Sequence, residues 1–382
     1  MFTKPKVKLL FAISNLTYGG IQTQALSLAK AYQKKGAKIY FLWTSKYEAT
    51  FVEKELLSNN FQIIDGRFII DDYWLKYSWK LNRYLPIFKA AFILRFYRIS
   101  YVIPYHNQLS YFFGTIHNFT GVKKTIFHIR NTVEEREPRQ NWYFKRALQN
   151  KPPVIANSNH ARIKFKELYG ELYDLEIYTI NNGINIRSID GEKNWKAHFQ
   201  VESIDFVVSV IANFFKEKDF ITVFRAWKCF LEQTNSNSKL VIAGDEGVAG
   251  MMNAYKDKVN ELGITPHVVF LGRAAQNIEL LSITDCNVLS TLNEGLPNSV
   301  IETLAMGKPF AGTNVDGVRE VVGENYPIPL FEKGDDKQLS EILIKLYNKQ
   351  FDLKEISEYS LKRFDLFSID KLVENYSKII KV

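Results

Sequence analysis

Cysteine is scarce in this 382-residue chain: Cys229 and Cys286 are the only two. Two thiols cannot build the multi-bridge framework of a small secreted domain, and these two lack metal-ligand spacing, which fits a reducing cytoplasm. Long hydrophobic runs are missing as well. No uninterrupted apolar stretch approaches the roughly 20 residues needed to cross a bilayer. The longest uncharged stretch, 99–122, is broken by Pro104, His106, Asn107, Gln108 and Asn118. The N-terminus starts basic, but its apolar run of about six residues is shorter than a secretory signal requires, and no small-residue cleavage site follows. Low-complexity tracts and heptads are absent, which excludes disorder and coiled coil. The expectation is a soluble, cytoplasmic protein.

What is present is an ordinary globular composition, 46% hydrophobic and 24% charged. A chain of this length can bury a large core, and at roughly 100–200 residues per domain it should form two domains. The net charge of +9 is unevenly spread. Residues 1–188 hold 28 Lys/Arg against 13 Asp/Glu, and residues 189–382 hold 22 against 28. A half carrying +15 beside a half carrying −6 suggests that one side meets something anionic: nucleic acid, phospholipid or a phosphorylated ligand. Composition does not choose among these.

The local pattern is strand, glycine turn, helix, strand. Val7 to Ile13 reads as a buried strand, Gly19-Gly20 as a turn, Ile21 to Lys35 as a helix capped by Gly36, and Ala37 to Trp43 as a second strand. The alternation returns after residue 200, with strands expected at 206–212, 239–243, 268–271 and 286–290 and helices at 220–234 and 249–262. Two α/β units follow, joined by a seam near 183–200, each with a parallel doubly wound sheet. A last amphipathic helix, within 366–382, can pack on either unit and is assigned to the first. Ligands of such a chain bind where strand C-termini converge, here expected in an interdomain cleft.

The most informative segment is Ser290 to Pro309, STLNEGLPNSVIETLAMGKP. A strand ends at Ser290, a turn carries Glu294 and Gly295, and a helix is expected from about Ser299 to Met306, stopped by Gly307 and Pro309. Its N-terminus offers N–H groups and a positive dipole end, a ready site for a diphosphate. Glu294 and Glu302 flank it, and a carboxylate accepts from vicinal hydroxyls of a ribose or hexose. The competing explanation is structural, because Ser299-Val-Ile-Glu302 is also a capping-box pattern.

The chain resembles the family 4 retaining glycosyltransferases of the GT-B fold. The resemblance rests on Glu294 and Glu302 with seven residues between, in EGLPNSVIETLAMGKP, and on ordered landmarks: GGIQ (19–22), VIANSNHAR (154–162), INNGIN (180–185), ANFFKEKD (212–219), LVIAGDEG (240–247), VVFLGR (268–273) and GTNVDGVREVV (312–322). It spans nearly the whole chain, is strongest over 206–322 and weak over 45–125. It implies two Rossmann-like domains facing each other across a cleft. Residues 1–187 would bind the acceptor and residues 188–365 the nucleotide sugar.

The resemblance also implies roles. Glu302 would hold the ribose hydroxyls, Glu294 would contact the transferred sugar, and backbone around Gly295, Leu296, Asn298 and Ser299 would take the phosphates. Pro297 has no N–H to give. Lys218 would neutralise the diphosphate, with Gly244 and Arg273 in the same site. Where the family often carries an arginine, this chain has Asn213, a lost positive charge that Lys216 or Arg273 would compensate. Gly19 and Gly20 would admit the donor phosphates or the acceptor, the alternative being a plain strand–helix turn. A catalytic cleft histidine is expected at His128, with Arg130 or Asn131 as competing positions and His106 and His160 as weaker ones. No Asp-x-Asp occurs, so the metal–diphosphate clamp of the other glycosyltransferase architecture is missing. No metal and no cofactor are expected, and electrostatic preorganisation would stabilise the leaving group.

Residues 67–105 stand apart, with twelve aromatics and seven Lys/Arg against Asp71 and Asp72. Such a surface suits an anionic membrane at the inner face of the plasma membrane, the alternative being ordinary core helices with solvated basic faces. The implied activity is transfer of a sugar, most often from a UDP-sugar, to a saccharide hydroxyl on a lipid-linked intermediate of capsule, O-antigen or exopolysaccharide synthesis. One alternative is a GT-B epimerase acting on a sugar nucleotide without acceptor. A non-catalytic nucleic-acid-binding protein is a distant one, because no recognised module carries the basic residues and no nucleic-acid partner is expected.

Overall fold

The computed structural model describes residues 7–14, 20–44, 51–66, 84–129, 142–186, 189, 191, 193–204, 206–272 and 276–382. The expectations placed on Gly19, Arg130, Asn131 and Arg273, and those on residues 67–83, lie outside this set. The chain forms two compact units, 1–183 with 368–382, and 184–367. It therefore passes between units at 183/184 and again at 367/368, not at 187/188 and 365/366 as the sequence suggested.

In the first unit, β1 (Lys8–Ile13), β2 (Lys38–Trp43), β3 (Gln62–Asp65), β4 (Tyr101–Pro104) and β5 (Lys124–Thr125) make a parallel sheet ordered β3-β2-β1-β4-β5. A second parallel sheet joins β6 (Phe127–Ile129), β7 (Val154–Ala156) and β8 (Ile177–Thr179). The helices are α1 (Gly20–Lys34), α2 (Phe51–Ser58), α3 (Tyr84–Phe96), α4 (Asn107–Thr120), α5 (Trp142–Gln149) and α6 (Asn159–Phe165). The run KLLFAI is apolar on both sides because both faces of β1 are covered. Leu9, Phe11 and Ile13 pack with Ala25 and Leu28 of α1, while Leu10 and Ala12 pack with Ile87 of α3 and Phe112 of α4. Gly36 ends α1 at φ +92°, the left-handed conformation that glycine adopts without penalty.

The second unit repeats the plan. Its strands β9 (Val207–Ile211), β10 (Lys239–Ala243), β11 (Val268–Gly272), β12 (Cys286–Leu289) and β13 (Phe310–Gly312) form a parallel sheet ordered β11-β10-β9-β12-β13. The helices are α7 (Phe220–Thr234), α8 (Met251–Glu261), α9 (Asn277–Ile283), α10 (Asn298–Ala305), α11 (Asp316–Val322), α12 (Asp336–Tyr347) and α13 (Leu353–Phe364). Asp219 starts α7 by accepting the Thr222 N–H at 3.2 Å, a side-chain cap at the helix entry. Trp227, Phe224 and Phe230 of α7 are fully buried in this unit's main core.

The chain then returns to the first unit as α14 (Ile369–Ser377), which stops at Ser377 rather than running to Val382. Leu372, Val373 and Tyr376 bury against α1 and the β1 sheet. Gly183 permits this return, since a Cβ there would lie 2.6 Å from the Leu372 Cβ. Beneath the helix lies His128, expected as a catalytic side chain and found instead to be 2% exposed. Its Nδ1 contacts the Pro104 carbonyl, which can only accept, so Nδ1 carries the proton. Nε2 then accepts from the Tyr376 hydroxyl at 2.5 Å. Both ring nitrogens are engaged, and His128 locks α14 to β6 and the end of β4. In this geometry His128 makes packing contacts within the first unit. Among the described residues, no helix is long and apolar enough to cross a membrane.

Tyr376→Phe leaves a buried imidazole nitrogen without its donor, and it should lower the unfolding free energy by about 1–3 kcal/mol. Urea unfolding of the variant beside the parent checks this, and an unchanged midpoint would remove His128 as the latch.

Candidate functional site

Three segments of the second unit meet beyond the C-terminal ends of β9, β10 and β12. The segment after β9 is sewn to the one after β12 by backbone: Asp219 N–H donates to the Ser290 carbonyl at 3.0 Å and Leu292 N–H to the Glu217 carbonyl at 2.8 Å. Thr291 Oγ1 adds a bond to the same Glu217 carbonyl at 3.0 Å. The segment after β9 is also tied to the one after β10. Asn213 Oδ1 accepts the Asp245 N–H at 2.9 Å, and Phe214 N–H donates to the Asp245 carbonyl at 3.0 Å. Gly244 is required here by space, because a Cβ would strike the Ala212 carbonyl oxygen and lie 2.7 Å from its carbon.

This stitching carries two charges inward. Lys218 Nζ forms an ion pair with Glu294 Oε1, and the two side chains are only 19% and 15% exposed. Burial pushes the Lys218 ammonium down from the usual lysine value to about 8, against the opposing pull of nearby Glu217. The turn that holds Glu294 is pressed onto α11: a Cβ on Gly317 would meet the Glu294 carbonyl oxygen and lie 2.6 Å from that of Gly295. Leu296 is 6% exposed and anchors the same turn in the core.

Helix α10 begins one residue earlier than expected. Pro297 occupies the cap position with no side-chain cap, so Asn298 and Ser299 are the first two helical residues. This overturns the capping-box explanation of Glu302, which lies in the second turn rather than the first. Glu302 receives instead a bond from another helix, Asn277 Nδ2 of α9 to Glu302 Oε2 at 3.2 Å. Below the first turn runs a buried polar chain. Ser209 Oγ donates to Asn287 Oδ1 at 3.0 Å, Asn287 Nδ2 to Thr303 Oγ1 at 2.8 Å, and Thr303 Oγ1 to the Ser299 carbonyl at 2.7 Å. Ser209, Asn287 and Thr303 are fully buried. The chain of bonds fixes α10 to β9 and β12 while the helix N-terminus keeps its positive dipole end for an anion.

The structure thus brings Lys218, Gly244, Glu294, Gly295, Leu296, Asn298, Ser299 and Glu302 together in one unit. Asn213 is beside them, with its Oδ1 committed to the Asp245 amide. Gly20 opens α1 in the other unit, and Lys216 is exposed. His106 is half-buried just before α4 and His160 is exposed on α6. Sequence reasoning missed Asn277, Gly317 and the Ser209–Asn287–Thr303 chain. Asn287 had a legible signal, an amide in the otherwise apolar strand CNVL. Asn277 had none. Among the described residues, no group of three or more His, Cys, Asp or Glu is placed to hold a metal ion.

The chain is similar to known proteins in both sequence and fold. The model of the glycosyl transferases group 1 matches residues 192–363 and that of glycosyltransferase family 4 matches residues 18–188. A putative glycosyltransferase EpsD of Bacillus subtilis is 27% identical over 178 residues, 43% of this chain and 46% of the relative. A capsular polysaccharide biosynthesis glycosyltransferase, CapM of Staphylococcus aureus, is 25% identical over 48% of each chain. The chain spans about half the length of the relatives it matches in sequence. In fold the match is complete: the Anabaena Alr3699/HepE structure in complex with UDP and glucose superposes with a TM-score of 0.79 over 98% of this chain and 99% of its own, at 16% identity.

Lys218 should titrate near pH 8, about two units below an exposed lysine. The folded protein then binds fewer protons than the unfolded chain between this value and the ordinary one, so this group's contribution makes the fold more stable as pH rises through that window. NMR titration of 13C-labelled lysine side chains checks it, and Glu294→Gln should shift the midpoint lower still, because the paired carboxylate favours the charged amine.

Proposed function

We infer that the chain, which belongs to the family 4 glycosyltransferases of the GT-B fold, moves a sugar from a nucleotide diphosphate sugar to a saccharide hydroxyl with retention at the anomeric carbon. The observation that carries this reading is the half-buried Lys218–Glu294 pair beside the N-terminus of α10. A cation, a helix dipole and two carboxylates stand there at the C-terminal ends of the strands of one Rossmann-like unit. That set is suited to a diphosphate flanked by two sugars.

Each residue has a part. Glu302, held by Asn277, accepts from the ribose hydroxyls. Backbone N–H groups at Asn298 and Ser299 face the phosphates. Lys218 exchanges part of its contact with Glu294 for the diphosphate, which leaves Glu294 to accept from the transferred sugar. As the glycosidic bond breaks, negative charge grows on the β-phosphate, and Lys218 and the α10 dipole stabilise it without a metal. A phosphate oxygen of the donor takes the acceptor's proton on the same face, so no carboxylate nucleophile is needed.

Uridine is the proposed base, supported by the UDP-bound structural relative. A lipid-linked saccharide is the proposed acceptor, and a role in surface polysaccharide synthesis is supported by the similarity to the capsular polysaccharide biosynthesis glycosyltransferase of Staphylococcus aureus. Work at the inner face of an anionic membrane fits the net charge of +15 carried by residues 1–188.

Two measurements test the reading. Glu302→Ala should weaken UDP binding by about 1.5–3 kcal/mol in calorimetry with EDTA present, the loss of a hydrogen bond to a charged group. Undiminished binding would falsify its ribose role. UDP should also bind with proton uptake at pH 8–9, because an anion restores the charge of an amine that is half neutral at about 8. Calorimetry in buffers of different ionisation enthalpy measures that uptake. In Lys218→Arg it should vanish, and net proton release in the parent would contradict the assignment.

A further inference from the structure

The first unit holds a groove of about 940 Å³ between α3, α4 and α5 that the donor chemistry does not use. Its walls are apolar side chains left open to water. Phe88 and Phe92 are about 70% exposed on one face of α3, and Phe119 at the end of α4 is 52% exposed. Trp142 of α5 closes one end edge-on to Tyr84, with ring centroids 6.5 Å apart. Single exposed apolar residues are ordinary, but a contiguous set lining a concavity marks a binding surface.

The rim has a sign. Arg95, Lys145 and Arg146 line the same groove, and among the described residues none of the three forms an ion pair. Helix α3 and helix α5 themselves carry cations and no Asp or Glu, and the sequence over 73–133 holds nine Lys/Arg and no acid before Glu134, Glu135 and Glu137 precede α5. An apolar trough with an unneutralised cationic edge complements one kind of molecule, a hydrocarbon chain ending in an anion. Concavity favours a single chain lying in the trough over a flat bilayer, which would meet a convex face.

We propose that this groove binds the lipid carrier of the acceptor, its hydrocarbon chain between Phe88, Phe92 and Trp142 and its phosphate on Arg95, Lys145 and Arg146. The identification of that lipid as the acceptor's carrier rests on the transferase reading above; the binding itself does not.

The test is calorimetric titration of the full chain with farnesyl phosphate kept below its aggregation limit, beside farnesol and inorganic phosphate alone. Farnesyl phosphate should bind at least tenfold more tightly than either half. Phe88→Ser/Phe92→Ser and, independently, Arg95→Gln/Arg146→Gln should each weaken it at least tenfold. These side chains are surface-exposed and lie in the unit without the nucleotide site, so UDP titration of the same samples should be unchanged. That control separates the two readings: loss of UDP binding in the parent sinks the donor site, and loss of farnesyl phosphate binding sinks the groove. Equal affinity for farnesol, indifference to both double variants, or association seen only with phosphatidylglycerol vesicles and not with dispersed farnesyl phosphate would each overturn the proposal.

Discussion

An ammonium group taken out of water is costly unless a charge of opposite sign comes with it, and the second unit is arranged around that constraint at Lys218. Burial alone would drive the amine toward its neutral form, which could not attract a phosphate. Glu294 opposes that drift by standing against it. The pair is placed by backbone more than by side-chain reach. The bonds from Asp219 to Ser290 and from Leu292 to Glu217 hold the two segments in register, so the charges arrive together as the strands assemble. In the proposed reaction an arriving diphosphate would replace part of this internal partner with its own negative charge, the desolvation cost having been met in folding.

The same economy explains why a parallel sheet with both faces covered tolerates Ser209, Asn287 and Thr303 in its interior. Apolar residues would pack there as well, but they would leave the orientation of α10 to van der Waals contact alone. The three side chains use each donor once and in one direction, and the sequence of bonds ends on the Ser299 carbonyl. A helix whose first turn must face a ligand needs its rotation fixed, and directional bonds fix rotation where dispersion does not. Gly317 acts from the other side by letting α11 touch the Glu294–Gly295 backbone.

Most of the architecture was legible because hydrophobic period and glycine punctuation are local properties. KLLFAI, KIYFLW and VVSVI read as buried strands, and the Glu294–Glu302 segment marked the turn and helix α10 that the structure forms. What stayed illegible depends on contacts between distant positions. Asn277 meets Glu302 only after α9 and α10 are packed, and nothing around it distinguishes that amide from a solvated one. The burial of His128 was hidden for the same reason. A histidine at a strand end looks exposed in sequence, and only the return of α14, 248 residues away, covers it with Tyr376. The crossing at Gly183 fell at the edge of the seam read at 183–200, because no Pro- or Gly-rich linker marks the residue at which the chain changes unit. Pro297 was read correctly as lacking a donor, yet its place at the cap was not anticipated, so the helix start was set one residue late.

The uneven charge of the chain invites a simpler assignment than its structure supports. A half carrying +15 would be the expected home of any anion, and a half carrying −6 the wrong place for a diphosphate. The proposed diphosphate site nevertheless lies in the acidic half. Net charge sets a long-range field that salt screens within about 8–10 Å, whereas a bound phosphate is held by groups in contact with it. One partly dehydrated lysine and one helix terminus therefore outweigh an unfavourable average. In the proposed lipid groove the contact groups are few and exposed, so Arg95, Lys145 and Arg146 would attract a phosphate by their charge surplus without a built cage. On these proposals the two halves meet anions by opposite means, one by geometry and one by composition, and only the second was visible in a count of charges.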